Sequence, residues 1–269
     1  MGWAPKGLRE LNASDDKKYF VFNRDDNAWP VYKGGSFDLW NADTGSYYAY
    51  ARPEVVVRRL IERQLNQITN RRSAFYGLSR EWAADESAIP ARMPRIAWRD
   101  VSRSTDSRTV RAALVPPQTV LVHQAYYLFW RDGDKRDEAY LLGVLSAIPF
   151  DWYARQLVES HATVEFMDAA PIPRPRRDDP LRRRVEEIAG RLAAVDSRYA
   201  DWAETVGVPM GGVTSSHEKE ALLPELDAAV ALLYGLDEED LRVVFATFHD
   251  GWDYEPRLRA ILDHWRRLS

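Results

Sequence analysis

Arginines 95, 99, 103, 108 and 111 recur through one short stretch of this chain, interleaved with Ile96, Trp98, Ser102, Thr105 and Val110. Guanidinium groups grip phosphates or donate in pairs to a guanine edge, and Ser and Thr hydroxyls bond phosphates or base edges. On a strand-loop-strand frame, the period of two sends Arg95 and Arg99 to the same face. The stretch is therefore a candidate nucleic-acid contact, with Arg95, Arg99, Ser102, Arg103, Thr105 and Arg108 as its contacting side chains. Arg71 and Arg72, upstream in the same basic region, join the set. A solvated strand face neutralised by Asp100 and Asp106 would have the same composition.

Other chemistry is missing from the sequence. No Walker-type phosphate loop, no His-Glu-x-x-His helix and no Gly-x-Ser-x-Gly elbow occurs. There is no cysteine, which removes disulfides, thiolate metal sites and cysteine nucleophiles together. His123, His161, His217, His249 and His264 are not spaced to share a metal. Asp250 and Asp253 flank Gly251-Trp252 and could hold a cation, although loop acids at such a place more often form turns. The expectation is a chain with no catalytic residue, no metal ligand and no cofactor of its own. The run Tyr126-Tyr-Leu-Phe-Trp130 could stack on an extruded base, but a continuous apolar run is the usual mark of a buried strand.

Charge is distributed unevenly along the 269 residues, whose net charge is −4. From Arg52 to Arg111 there are thirteen arginines against seven acids, whereas Gly212 to Glu255 holds eleven acids against Lys219 and Arg242. Phosphate attraction acts through local charge, so a basic middle and an acidic tail matter more than the average. The longest apolar stretch, Thr119 to Trp130, falls short of the ~20 residues a membrane helix needs, and the first residues carry no charged-then-apolar leader. A cytoplasmic protein without a membrane partner is expected.

The elements that must position these residues can be read from pattern. Trp29-Pro-Val-Tyr32 and Tyr47-Tyr-Ala-Tyr50 look like hairpin strands, and Pro53 opens a helix with a Val57, Ile61, Leu65, Ile68 stripe and an outer face of Arg58, Arg59 and Arg63. Arg95 to Val101, Thr109 to Val115 and Thr119 to Trp130 read as strands, Asp137 to Val158 as helix broken near Pro149, and Thr163 to Met167 as a last strand. The alternate prolines of Ala170-Pro-Ile-Pro-Arg-Pro-Arg-Arg177 make an extended linker. Beyond it, stripes at Leu181, Val185, Ile188, Leu192 and at Leu226, Val230, Leu233 give helices, the second ended by Gly235. Asp237 caps a third around Leu241 and Phe245, and Arg257 to Leu268 forms a fourth.

Arg95-Ile-Ala-Trp-Arg-Asp-Val-Ser-Arg-Ser-Thr-Asp-Ser-Arg-Thr-Val-Arg-Ala-Ala-Leu-Val-Pro-Pro117, then Tyr140 to Arg155 and Ala170-Pro-Ile-Pro173, resembles the C-terminal region of large adenine-specific DNA methyltransferases. These include fused type II restriction-modification enzymes and the methyltransferases of phage-exclusion systems. Leu8-Arg-Glu-Leu-Asn-Ala-Ser-Asp-Asp16 and Trp29-Pro-Val-Tyr-Lys-Gly-Gly35 resemble the segments that join methyltransferase to specificity domain, and Leu226 to Leu236 their terminal helical section. The resemblance is colinear over nearly the whole chain. The family's Asn-Pro-Pro-aromatic motif and its glycine-rich motif for S-adenosylmethionine lie upstream of the matched region, and neither occurs in this chain. Where members often carry Gly-Lys, this chain has Gly34-Gly35 with Lys33 one place earlier, so no role is carried to that lysine.

The fold expected is α+β: a twisted, mainly antiparallel sheet with flanking helices, followed by a helical C-terminal section. Residues 1–51 would be a connector, 52–173 a target-recognition domain and 174–269 the helical section. The resemblance implies sequence-specific duplex DNA recognition on behalf of a methyltransferase catalytic domain or subunit, which would hold the S-adenosylmethionine. A non-catalytic protein-interaction adaptor in a phage-defence complex is the alternative, and an independent hydrolase lacks a catalytic constellation in the sequence.

Overall fold

A computed structural model describes residues 5–103, 106–122, 124–131, 133–213 and 215–269. By its contacts the chain divides into two compact units, one made of 1–101, 113–133 and 163–169, the other of 102–112, 134–162 and 170–269. The architecture is α+β, with the strands in the first unit and most helices in the second.

In the first unit β1 (Lys6–Leu8), β2 (Trp29–Tyr32) and β3 (Ala49–Ala51) precede helix α1 (Pro53–Gln67) and the short α2 (Arg80–Ala84). Then come β4 (Arg95–Arg99), β5 (Ala112–Val115), β6 (Val120–Leu121) and β7 (Ala125–Phe129). The strands form two sheets where one was expected. A four-stranded sheet runs β1-β7-β4-β5, and a three-stranded sheet runs β3-β2-β6. The pairs β1/β7, β4/β7 and β2/β3 are antiparallel, while β2 and β6 run parallel, with Val31 opposite Val120. Strands at both ends of the chain segment 6–51 thus enter the sheets.

Helix α1 starts at Pro53, whose missing N–H is no loss in a first turn. It buries Val56, Val57 and Leu60 against Val31, Ala49, Ala51 and Val120 of the three-stranded sheet and against Val122 just beyond it. Each such side chain contributes about 1.5–3 kcal/mol when taken from water. The stripe is turned by one position from the expected one: Leu60 and Gln64 are buried, and Ile61 only partly so. The aromatic run around Tyr126 is core, with Tyr126 packed 5.4 Å from Trp98.

Two sequence readings change. Thr163 to Met167, expected as a strand, is the start of helix α5 (Val164–Ala169). The Thr163 hydroxyl accepts the Phe166 N–H at 3.2 Å, and Asp168 accepts the Gly7 N–H of β1 at 2.8 Å, so capping and tertiary contact outweigh the β-branched pattern. β5 begins at Ala112 rather than Thr109, because the Thr109 and Val110 N–H groups are taken by the buried Asp151 carboxylate at 3.1 and 2.6 Å and are not offered to a ladder.

The second unit is helical. Helix α3 (Lys135–Ser146) opens on a capping box at Asp134, and α4 (Ile148–Leu157) follows with Pro149 in its first turn. Along the extended proline segment the Tyr140 hydroxyl donates to the Pro173 carbonyl at 3.0 Å. Then come α6 (Pro180–Ala193), α7 (Ala200–Val206), α8 (Ser216–Leu233), α9 (Glu238–Ala246) and α10 (Glu255–Leu268). Helix α6 packs on α3 and α8, and α8 on α10. Leu241, Phe245, Leu258, Ile261 and Leu262 share one core with Ala228 and Ala231 of α8. Among the described residues no helix is long and apolar enough to cross a membrane.

Candidate nucleic-acid interface

The arginines singled out by sequence have different fates. On β4, Arg95, Ala97 and Arg99 do share a face, the one on which Ala97 opposes Tyr127. That face is inward. Arg95 is 4% exposed and its Nη2 donates to Glu10 at 2.9 and 3.0 Å and to the Thr119 carbonyl at 2.9 Å, with the guanidinium over the Tyr127 ring. Glu10 also accepts the Leu121 N–H at 2.6 Å. Burial pushes the Glu10 carboxyl up from its ordinary range, while Arg95 and the Leu121 N–H pull it down. The same burial drives the Tyr127 phenol far up, so it stays neutral. Arg95 is thus a core tie between β4, the β1 extension and β6.

Arg99 is partly buried, donating through Nε to the Phe37 carbonyl at 2.9 Å and pairing with Asp38 at 3.1 Å. Both contacts hold the 33–38 turn. In the second unit Arg108 donates to Asp151 at 2.9 Å and to the Ser146 carbonyl at 2.7 Å. Ser102 is buried there, and its N–H donates to the Ser160 carbonyl at 3.0 Å. Arg103 is exposed, with its backbone N–H on Asp106. Thr105 lies outside the described residues. Four of the expected contact residues, Arg95, Arg99, Ser102 and Arg108, therefore hold the fold from within.

Arg71 and Arg72 stand apart from these. Both are exposed, and no ion pair or side-chain hydrogen bond engages either guanidinium among the described residues. They sit in the 68–79 connection between α1 and α2, which pack on each other. Its conformation is fixed from within. Gly77, at φ +76° in the left-handed region that favours glycine, donates its N–H to the Ile68 carbonyl at 3.0 Å and closes the loop. Asn70 Oδ1 accepts the Arg72 N–H at 3.0 Å, and Ser79 caps α2 through the Trp82 N–H. Phe75 is the anchor: it is buried 4.9 Å from Phe129 and 5.4 Å from Trp82.

The composition of this stretch decides its chemistry. Between Arg63 and Arg80 there are four arginines and no acid, with Asn66, Gln67 and Asn70 among them. Asn66, Asn70, Arg71, Arg72 and Arg80 are exposed, and Tyr76 is 46% exposed beside them. The C-terminal end of α1 disfavours an anion by about 0.3–1 kcal/mol. Arg71 and Arg72, a turn beyond it, outweigh that, and the Ile68 carbonyl is already occupied by Gly77. The signal was present in the sequence as an acid-free window and was diluted by averaging over residues 52–111. Among the described residues no group of His, Asp and Glu is placed to hold a metal ion.

No protein-family model matches the chain, and no curated protein matches it. Among solved structures the chain is similar to the Type IIL restriction-modification enzyme MmeI in a complex with DNA, at 13% identity and a TM-score of 0.47. The likeness covers 99% of this chain and 36% of that one, so the chain spans little more than a third of that enzyme's length.

Proposed function

We propose that the chain is a sequence-specific duplex DNA recognition module serving an adenine-specific methyltransferase or restriction-modification enzyme, and that the α1–α2 connection is its primary contact. The observation that carries this is the exposed set of Arg71, Arg72 and Arg80 with Asn66 and Asn70, in a stretch of sequence without acids and on a loop that Phe75 and Gly77 hold in one shape. Phosphates would be held by the arginines, and amide side chains can pair with adenine edges. Arg103, exposed in the second unit, is a further phosphate contact. The colinear sequence resemblance supplies the enzyme class. In this reading S-adenosylmethionine and the catalytic Asn-Pro-Pro motif belong to a partner domain or subunit. The carboxylates of the Gly212 to Glu255 segment, which phosphate would repel, take no part in the duplex contact.

A salt titration of duplex binding tests the reading. Four phosphate contacts, from Arg71, Arg72, Arg80 and Arg103, give a slope of about −3.6 in log affinity against log salt, which weakens binding about 150-fold between 50 and 200 mM salt. Absence of duplex binding at 50 mM salt, with retained binding to a methyltransferase subunit, would transfer the chain to the adaptor class.

A further inference from the structure

We infer that the second unit carries a ligand site of its own, a cleft beside α8 and the α9–α10 connection that binds a nucleotide. This goes beyond the DNA reading and does not depend on it. The cleft has a volume of about 420 Å³, within the size range of small-molecule sites. Leu223 of α8 and Phe248 and Trp252 from the connection give it apolar and aromatic walls, with the two rings 5.6 Å apart. Two arginines, Arg108 and Arg257, belong to the same lining.

Both arginines are held by buried carboxylates. Arg108 Nε donates to Asp151, which is 0% exposed, and Arg257 Nη2 donates at 2.7 Å to Asp227, which is 2% exposed. Each carboxylate is also fixed by backbone: Asp151 by the Thr109 and Val110 N–H groups, Asp227 by the Ile148 N–H at 2.9 Å. The guanidinium groups are therefore held in place, and donors remain: the Nη1 groups of Arg108 and Arg257 take no part in these bonds. With Asp151 and Asp227 balancing Arg108 and Arg257, Arg155, 4.5 Å over Phe248, leaves one positive charge in excess behind the aromatic wall. Pre-placed donors beside apolar and aromatic walls suit a planar aromatic group that carries an anion. A nucleotide combines the two, either free or as a residue of a single strand turned out of its stack.

Calorimetry on the full chain with adenosine 5′-monophosphate, adenosine and an oligodeoxyadenylate pentanucleotide tests the site. The nucleotide is expected to bind, and adenosine to bind about tenfold or more weakly, because the charge-assisted bonds to the arginines are lost. Leu223→Trp, which fills the slot from a half-exposed helix position, is expected to abolish binding while keeping the parent melting temperature. If that variant melts early, Trp252→Leu replaces it and is expected to weaken binding about fivefold or more through lost stacking. Binding of the pentanucleotide alone, lost in the same variant, supports the site and assigns its ligand to a nucleic-acid strand. No binding of either ligand at millimolar concentration, equal binding of adenosine, or undiminished binding by the filled variant overturns the inference.

Discussion

Replacing Arg95 by Met separates a folding role from a contact role for the most conspicuous arginine of the basic stretch. The side chain makes bonds of 2.9–3.0 Å to both oxygens of Glu10 and to the Thr119 carbonyl. Without it the Glu10 carboxylate, 4% exposed, keeps the Leu121 N–H but loses its cation. Breaking a buried pair from one side costs about 3–5 kcal/mol, because the remaining charge stays desolvated. With an unfolding entropy of about 2.1 cal/mol/K per residue, that is a fall in Tm of about 5–10 °C if all 269 residues melt together, and about 10–20 °C if the first unit melts alone. Changing Glu10 to Leu in the same chain removes the stranded charge and is expected to recover most of the loss. Thermal melting followed by circular dichroism reads all three proteins. Below its melting range, the Arg95→Met protein is expected to bind duplex DNA with parental affinity. A loss under about 1 kcal/mol, or a double variant no more stable than the single one, would refute the reasoning.

Three other outcomes follow from the packing. Asp151→Asn keeps the shape but halves the acceptors for Thr109, Val110 and Arg108; an unfolding free energy from urea titration lowered by about 2–4 kcal/mol is expected, and an unchanged one would show that the 102–112 segment is anchored elsewhere. Gly7→Ala would put a methyl 2.8 Å from Val164 Cγ1 and 2.9 Å from Trp98 Cη2, so chemical denaturation should show about 1–3 kcal/mol of overpacking. The bidentate pair with Arg184, at 2.7 Å on both oxygens, holds the Glu225 carboxyl below its ordinary range near 4.5. A lowered carboxyl contributes stability that is complete above its unfolded value and is lost as the pH falls through the folded one. Stability measured from pH 6 down should therefore fall less steeply below about 4.5 in Glu225→Gln than in the parent, and parallel curves would count against the assignment.

What the sequence made legible was local. The stripes of α6 and α8, the left-handed Gly235 after α8 and the Asp237 capping box all rest on neighbours a few positions apart, and they fold as their spacing implies. Alternation put Arg95 and Arg99 on one face of β4, but it carries no information on whether that face points inward. Burial was decided by Glu10, 85 positions away, and for Arg99 by the Phe37 carbonyl and Asp38. The same distance hid the parallel β2/β6 pairing and the Asp168 contact that favours helix α5. Arg71 and Arg72 entered the set only as part of the wider basic region, because averaging over residues 52–111 diluted the stretch without acids in which they lie.

The α1–α2 connection as a DNA contact is tested most directly by the salt slope of a double variant, Arg71→Ala with Arg72→Ala, measured by fluorescence anisotropy on one duplex between 50 and 200 mM salt. Neither guanidinium supports the fold, so Tm should stay within a few degrees of the parent. Two lost phosphate contacts are expected to reduce the magnitude of the slope by about 1.8 and to weaken binding on every sequence. A contact to a base edge would instead cost about 1–3 kcal/mol on the preferred site alone. A double variant that kept the parental affinity, slope and sequence preference would contradict the account.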